Sequence, residues 1–179
     1  MKNELMIDIE TTGQNPGCKV LTIGAFGFDR DGNQCEFYRR FNILKLVEEG
    51  FQDDLSTMDW WRKKDKEVFD ESFGGKDDPK EGIADFKAWC YKNFAMGKKD
   101  DFKVWSCGTD FDFPILKHFF AHFGYHFPWN FWDHCDYRTL KKEFPIIKSA
   151  EENGKAHSAL EDAKAHMRGL RAFRSLFKD

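Results

Sequence analysis

Hydrophobic and polar positions alternate most regularly near the start of the chain. Leu5, Ile7 and Ile9 interleave with Met6, Asp8 and Glu10, a period of two that predicts a short strand. Residues two apart share a face of a strand, so Asp8 and Glu10 project side by side while Ile7 and Ile9 turn into packing. Thr11-Thr12-Gly13 closes this strand in a turn. From Val20 to Asp29, Leu21, Ile23 and Ala25 alternate with Thr22, Gly24 and Phe26 and predict a second strand. Gln34 to Phe41 predicts a third, and Asp29-Arg30-Asp31-Gly32-Asn33 between them has the composition of a hairpin turn. The three strands read as an antiparallel meander.

The spacing then becomes helical. Met58, Trp61 and Val68 among charges predict one amphipathic helix from Ser56 to Phe69, and Gly74-Gly75 marks a loop after it. Asp78-Pro79-Lys80-Glu81 supplies an N-cap, a proline at the first helical position and an acid at the third. Ile83, Phe86, Cys90 and Phe94 follow as the apolar stripe of that helix. Phe102 to Cys107 predicts a fourth strand broken by Gly108. Phe113 to Phe123 predicts a helix with Pro114 in its first turn, Phe131 to Cys135 a fifth strand, and Arg138 to Phe144 a short helix stopped by Pro145. Lys148 to Lys155 is polar, contains Gly154 and reads as a mobile loop. Ser158-Ala159-Leu160-Glu161 has the form of a capping box, with Leu160, Ala163, Met167, Leu170 and Phe173 as the stripe of the helix it opens. That start leaves His157 just outside the last helix and Asp162 in its second turn.

A chain of 179 residues is long enough for one domain with a substantial core, here taken as residues 1–179. With 41% hydrophobic and 33% charged residues it is globular rather than disordered. Its 20 Phe and 6 Trp are read mostly as core, with some available to stack on bases. No apolar run approaches the ~20 residues a membrane-spanning helix needs. Met1-Lys2-Asn3-Glu4 has no signal-peptide character, and five cysteines without CxxC spacing imply reduced thiols, so a cytoplasmic location is expected. The net charge of -3 argues at first sight against a nucleic-acid partner. Bound divalent cations would offset it, so charge does not exclude a nucleic-acid enzyme.

Candidate chemistry starts from the first strand. Two carboxylates on one edge of a buried strand repel each other and resist desolvation, an arrangement a divalent cation relieves. Alone, an Asp-x-Glu pair is ordinarily an exposed strand edge. Asp112 after the fourth strand, then His157 and Asp162, extend the set. Acids this far apart converge only through the fold, as in sites holding two Mg²⁺ or Mn²⁺ ions roughly 3.5–4 Å apart. Hard cations take oxygen ligands, which Asp and Glu supply. Asp110 rivals Asp112 but reads as an N-cap or turn residue. His118, His122 and His126 are four apart and suggest zinc, but Gly124 and Pro128 interrupt the helix before the third. Of Trp60 and Trp61, adjacent on a helix, one is expected in the core and the other toward substrate. Arg62-Lys63-Lys64, and Arg138 with Lys141 and Lys142, read as solvated helix faces or phosphate contacts.

Three segments, Asp8-Ile9-Glu10-Thr11-Thr12-Gly13, Gly108-Thr109-Asp110-Phe111-Asp112 and His157-Ser158-Ala159-Leu160-Glu161-Asp162-Ala163, together resemble the motifs of the DEDD-type 3′–5′ exonucleases of the ribonuclease H-like fold. A histidine five residues before the last Asp is similar to the histidine-containing subgroup. Trp60-Trp61, Val104-Trp105-Ser106-Cys107-Gly108 and Asp136-Tyr137-Arg138-Thr139-Leu140 resemble its branch of mycobacterial-type exoribonucleases and a tailed-phage exonuclease. Cys107 departs from the Asn that family often has there. The resemblance implies an α/β fold with a mixed five-stranded sheet in the order 3-2-1-4-5, strand 2 antiparallel, flanked by helices. It implies hydrolysis of single-stranded DNA or RNA 3′ ends to nucleoside 5′-monophosphates with two divalent ions, Mg²⁺ or Mn²⁺. Asp8, Glu10, Asp112 and Asp162 would hold the metals and His157 would take the proton of the attacking water. Thr11 and Thr12 would lie against the terminal nucleotide, with Phe111, Trp61 and Arg138 as further substrate contacts. A catalytically inactive nucleic-acid-binding module, or an endonuclease of the same wider group, is the alternative. No membrane partner is expected, and a homodimer is left open.

Overall fold

The computed structural model describes residues 2–99, 101–151 and 158–177. Five strands, β1 (Glu4–Thr11), β2 (Val20–Phe28), β3 (Gln34–Arg40), β4 (Lys103–Ser106) and β5 (His134–Asp136), form one sheet in the order β3-β2-β1-β4-β5. β2 runs antiparallel to β1 and to β3, while β4 is parallel to β1 and to β5. This is the mixed sheet expected from the sequence. Among the described residues eight helices accompany it: α1 (Ile43–Glu48), α2 (Leu55–Trp61), α3 (Lys66–Phe73), α4 (Pro79–Asn93), α5 (Thr109–His122), α6 (Tyr137–Glu143), α7 (Ile146–Glu151) and α8 (Ala159–Ser175).

The alternation in β1 sorts its side chains onto two cores. Leu5, Ile7 and Ile9 pack with Ile83, Phe86 and Cys90 of α4 and with Leu116, Phe119 and Phe120 of α5. Met6 faces the other way, into a smaller core with Tyr137 of α6, Ile147 of α7 and Ala163, Met167 and Leu170 of α8. Helices therefore cover both faces of the sheet, and Asp8 and Glu10 continue the Met6 face under α8. The aromatic excess goes mainly into the first core. Phe86 lies within ring contact of Phe37, Trp89, Phe120 and Trp129 there.

Several local expectations change. The single helix from Ser56 to Phe69 is two helices. Asp54 caps α2 by accepting from the Thr57 N–H, and the chain leaves helical structure over the polar run after Arg62 before α3 begins behind Asp65. That run has no apolar side chain to hold a helix against the core. α1 was not expected, although its cap was legible: the Asn42 side chain accepts from the Leu44 and Lys45 N–H groups. α4 starts as read, with Asp78 accepting from the Glu81 N–H and Pro79 in the first turn. α5 starts at Thr109, earlier than expected, so Pro114 lies inside it rather than in its first turn. Gly108 makes this possible. At a φ of 124° it turns the chain out of β4, and its carbonyl accepts from the Phe111 and Asp112 N–H groups at 2.9 and 3.2 Å. Asp110 is consequently in the first turn and not the N-cap. α5 ends at His122, whose Nε2 lies 2.9 Å from Glu49, so His126 shares no helix face with it and the zinc reading is not supported.

The proposed fifth strand begins as a 3-10 turn over Phe131–Asp133, closed by a reciprocal Asn130–Asp133 capping box, and only then becomes β5. Lys148 to Glu151 belong to α7 rather than to a loop. The remainder of the expected loop, residues 152–155, lies outside the described residues. Ser158 occupies the N-cap position of α8 without a side-chain capping bond, so the expected capping box does not form, and Glu161 accepts from Lys164. Asp162 is in the first turn, not the second, with its N–H donating to the Ser158 carbonyl at 2.8 Å.

Candidate active site

Three elements deliver carboxylates to one place. Asp8 and Glu10 come from the open end of β1, Asp112 from the first turns of α5, and Asp162 from the start of α8. One carboxylate oxygen from each of Asp8, Glu10 and Asp162 lies within 4.8 Å of the others. Asp112 joins them in lining a cleft of about 230 Å³, together with Ile9, Cys107, Phe111, Arg138 and His166. Glu10 and Asp112 are buried, Asp8 and Asp162 half-buried.

Burial and mutual repulsion raise the carboxyl pKa values of this cluster. Burial, then the charges of Asp112, Glu10 and Asp162, hold the Asp8 carboxyl well above the usual range. Burial also pushes Glu10 up to about 8, with Asp162 and Asp112 adding and Lys64 pulling back. Burial lifts Asp112 to about 7 against the Ser106 hydroxyl and the Arg138 guanidinium, which lower it. A folded protein that concentrates buried acids this way is built for positive charge. The all-oxygen donor set fits a hard divalent cation.

The second layer explains how the acids are held. Trp61 is buried at 1% exposure, its indole N–H donates to the Thr11 carbonyl at 2.8 Å, and its ring packs edge-on to Phe73. It therefore braces the end of β1 from inside the protein, so of the two tryptophans it is the one in the core. Trp60 is the exposed member of the pair, with the Lys64 ammonium 3.9 Å from its ring centre. Thr11 and Thr12 are also buried, and their hydroxyls donate to the Gly13 and Gln52 carbonyls. Both hydroxyls are engaged in the turn after β1. Phe111 and Arg138 do lie on the cleft. The Arg138 guanidinium donates to the Cys107 carbonyl at 2.6 Å and packs where a side chain at Gly108 would stand.

His157 lies outside the described residues. His166 lines the cleft without having been anticipated, although its place four residues after Asp162 puts the two on one helix side. Burial lowers its pKa to about 4, with the Glu151 carboxylate raising it and Lys141 lowering it, so its imidazole is neutral at physiological pH.

A family model described as the 3'-5' exoribonuclease Rv2179c-like domain matches residues 3–173. The chain belongs to this family. It is a DEDD-type 3′–5′ exonuclease domain of the ribonuclease H-like superfamily. Among solved structures, E. coli exonuclease I in complex with a dT13 oligonucleotide superposes with a TM-score of 0.64 at 14% identity, covering 99% of this chain and 44% of that one. Cell-death related nuclease 4 (CRN-4) superposes with a TM-score of 0.58 at 14% identity, covering 97% and 64%. At that identity the likeness concerns the fold, and this exoribonuclease-like domain spans less than half of exonuclease I. Comparison with curated proteins gives no match.

The raised carboxyl pKa values fix a sign for stability. An acid whose folded pKa lies above its unfolded value stabilises the fold relative to the unfolded chain only while protonated, and that contribution is lost as pH rises through the folded pKa. With Glu10 raised from 4.5 to about 8 and Asp112 from 3.8 to about 7, the loss begins in the ordinary carboxylate range and is complete by about pH 8. His166, held neutral in the fold, acts oppositely, but only below its ordinary value of 6.5. Between pH 6.5 and about 8 the thermal midpoint of the metal-free domain is therefore expected to fall, on the order of several degrees. Saturating Mg²⁺ should remove most of that fall and raise the midpoint throughout. Thermal unfolding across this range with Mg²⁺ and with chelator measures both; identical curves would show that the acids form no cation site.

Proposed function

We propose that this domain hydrolyses single-stranded nucleic acid from the 3′ end, releasing nucleoside 5′-monophosphates, with two divalent cations, Mg²⁺ or Mn²⁺, held by Asp8, Glu10, Asp112 and Asp162. The observation that carries the reading is the convergence of Asp8, Glu10 and Asp162 within 4.8 Å beside buried Asp112, in a cleft of about 230 Å³. Cations bound there would supply positive charge to the attacking and leaving oxygens of a phosphoryl displacement. Arg138, exposed at the rim, would meet a backbone phosphate, and half-buried Phe111 would offer an aromatic edge to the terminal nucleotide. His157, five residues before Asp162, would accept the proton of the attacking water. The family description supports RNA as the first substrate to try. The oligonucleotide bound to exonuclease I supports a single-stranded substrate and keeps DNA in the comparison.

Digestion of 5′-labelled RNA and DNA oligomers of one sequence, with Mg²⁺, Mn²⁺ or chelator, tests polarity, sugar preference and metal need on one gel, with an internally labelled circle alongside. The expected result is a ladder shortening from the 3′ end, abolished by chelator, with a circular single strand left intact. Cutting of the circle would make the protein an endonuclease. Binding of Mn²⁺ and oligomer without any cleavage would make it a binding module.

A further inference from the structure

We propose that Gly24 is a positioning residue for the carboxylate cluster: the absence of a side chain there lets the first turn of α8 descend onto the sheet and set Asp162 against Asp8 and Glu10. The inference rests on the metal-dependent reading above. Gly24 stands directly opposite Asp8 in the β1–β2 register, on the sheet face that carries the acids. A Cβ at this position would lie 2.1 Å from the Ala159 carbonyl carbon and the Leu160 nitrogen, and 2.4 Å from the Ala159 oxygen. These are backbone atoms, which cannot swing aside as a side chain would. Gly24 is not among the glycines with positive φ, so its backbone conformation does not call for glycine; the space does.

The contact falls where it matters for the site. Ala159 is fully buried, and Asp162 is tied to the same turn by its N–H bond to Ser158 at 2.8 Å. Restoring ordinary contact, 3.4 Å or more, would push this turn off the sheet by over 1 Å. Metal ligand distances tolerate only about ±0.2 Å, and site geometry about 0.5 Å. Asp162 would leave the reach of a cation shared with Asp8 and Glu10.

Gly27 provides an internal control. It is also on β2, and a Cβ there would lie 2.4 Å from the Glu4 carbonyl oxygen. It pairs with Leu5, at the end of β1 remote from the acids, and the atoms it meets belong to β1. Both glycines are thus crowded against backbone, but only Gly24 lies under α8.

The test is Mn²⁺ binding by calorimetry to the full chain, at a temperature where circular dichroism shows each variant folded. Gly24→Ala is expected to weaken Mn²⁺ binding on the order of 10–100-fold, as loss of a ligand's support does. Gly27→Ala should lose thermal stability yet bind Mn²⁺ as the wild type does. Ala159→Val crowds the same turn from the helix side and should reproduce the weakened binding; it carries the test if Gly24→Ala does not fold. Wild-type Mn²⁺ affinity in folded Gly24→Ala or in Ala159→Val, or equal weakening in Gly27→Ala, would overturn the proposal. A wild-type protein that itself binds no Mn²⁺ would instead remove the metal-dependent reading beneath it.

Discussion

Asp112→Asn is expected to lower turnover by roughly 10²–10³-fold or more, with the fold intact. The side chain is 3% exposed and reaches the cleft because Gly108 starts α5 immediately after β4. Asn keeps the size and removes the charge, so a cation loses an anionic partner where burial makes each charge count most. The same substitution should raise the thermal midpoint of the metal-free protein. It removes one of the charges that push up Asp8 and Glu10. Opposite signs on activity and metal-free stability distinguish a ligand from a structural acid. Asp110→Asn is the paired control. Asp110 is exposed in the first turn of α5, and losing its charge near a helix N-terminus costs about 0.3–1 kcal/mol, with turnover little changed. An inactive Asp110→Asn beside an active Asp112→Asn would reverse the assignment of the second motif.

His157→Ala is expected to slow single-turnover cleavage by about 10²–10⁴-fold while leaving Mn²⁺ binding near the wild-type value. The expectation comes from the sequence, where His157 stands five residues before Asp162. A neutral imidazole with an unperturbed pKa of about 6.5 suits proton acceptance near neutral pH. The wild-type rate should rise with pH across the acidic limb as this base loses its proton, and the variant should lose that limb. His166 would not produce this limb: burial keeps it neutral down to about pH 4, below the range where the limb is expected. The comparison is single-turnover cleavage against pH at saturating metal. Near wild-type cleavage by the variant at neutral pH would remove His157 from the mechanism.

What the sequence determined by itself was whatever depends on near neighbours. Period-two alternation fixes which face of β1 is apolar, so the shared projection of Asp8 and Glu10 follows from spacing alone. Asp78 before Pro79 announces a helix because the cap and the proline act within one turn. The turn at Asp29 to Asn33 closes through Asp29, whose carboxylate accepts from the Asp31 and Asn33 N–H groups. Tertiary contacts decided the rest, because they join residues that no local pattern relates. Trp60 and Trp61 are indistinguishable by type and nearly so by position. The carbonyl of Thr11, fifty residues away in the chain, decides which of them is buried. Capping-box composition at Ser158 does not make a capping box when the Ser158 side chain meets Tyr38 and Glu161 meets Lys164. Gly24 looked like one more small residue in an alternating strand, since periodicity records the face a residue occupies and not what is packed against it. Only with α8 lying on β2 is there a reason for glycine there, and only then do Asp8 and Asp162 become neighbours. Their convergence required the folded chain because hydrophobic burial, which is non-directional, brings the helix to the sheet, while steric exclusion at individual atoms sets how closely it lands.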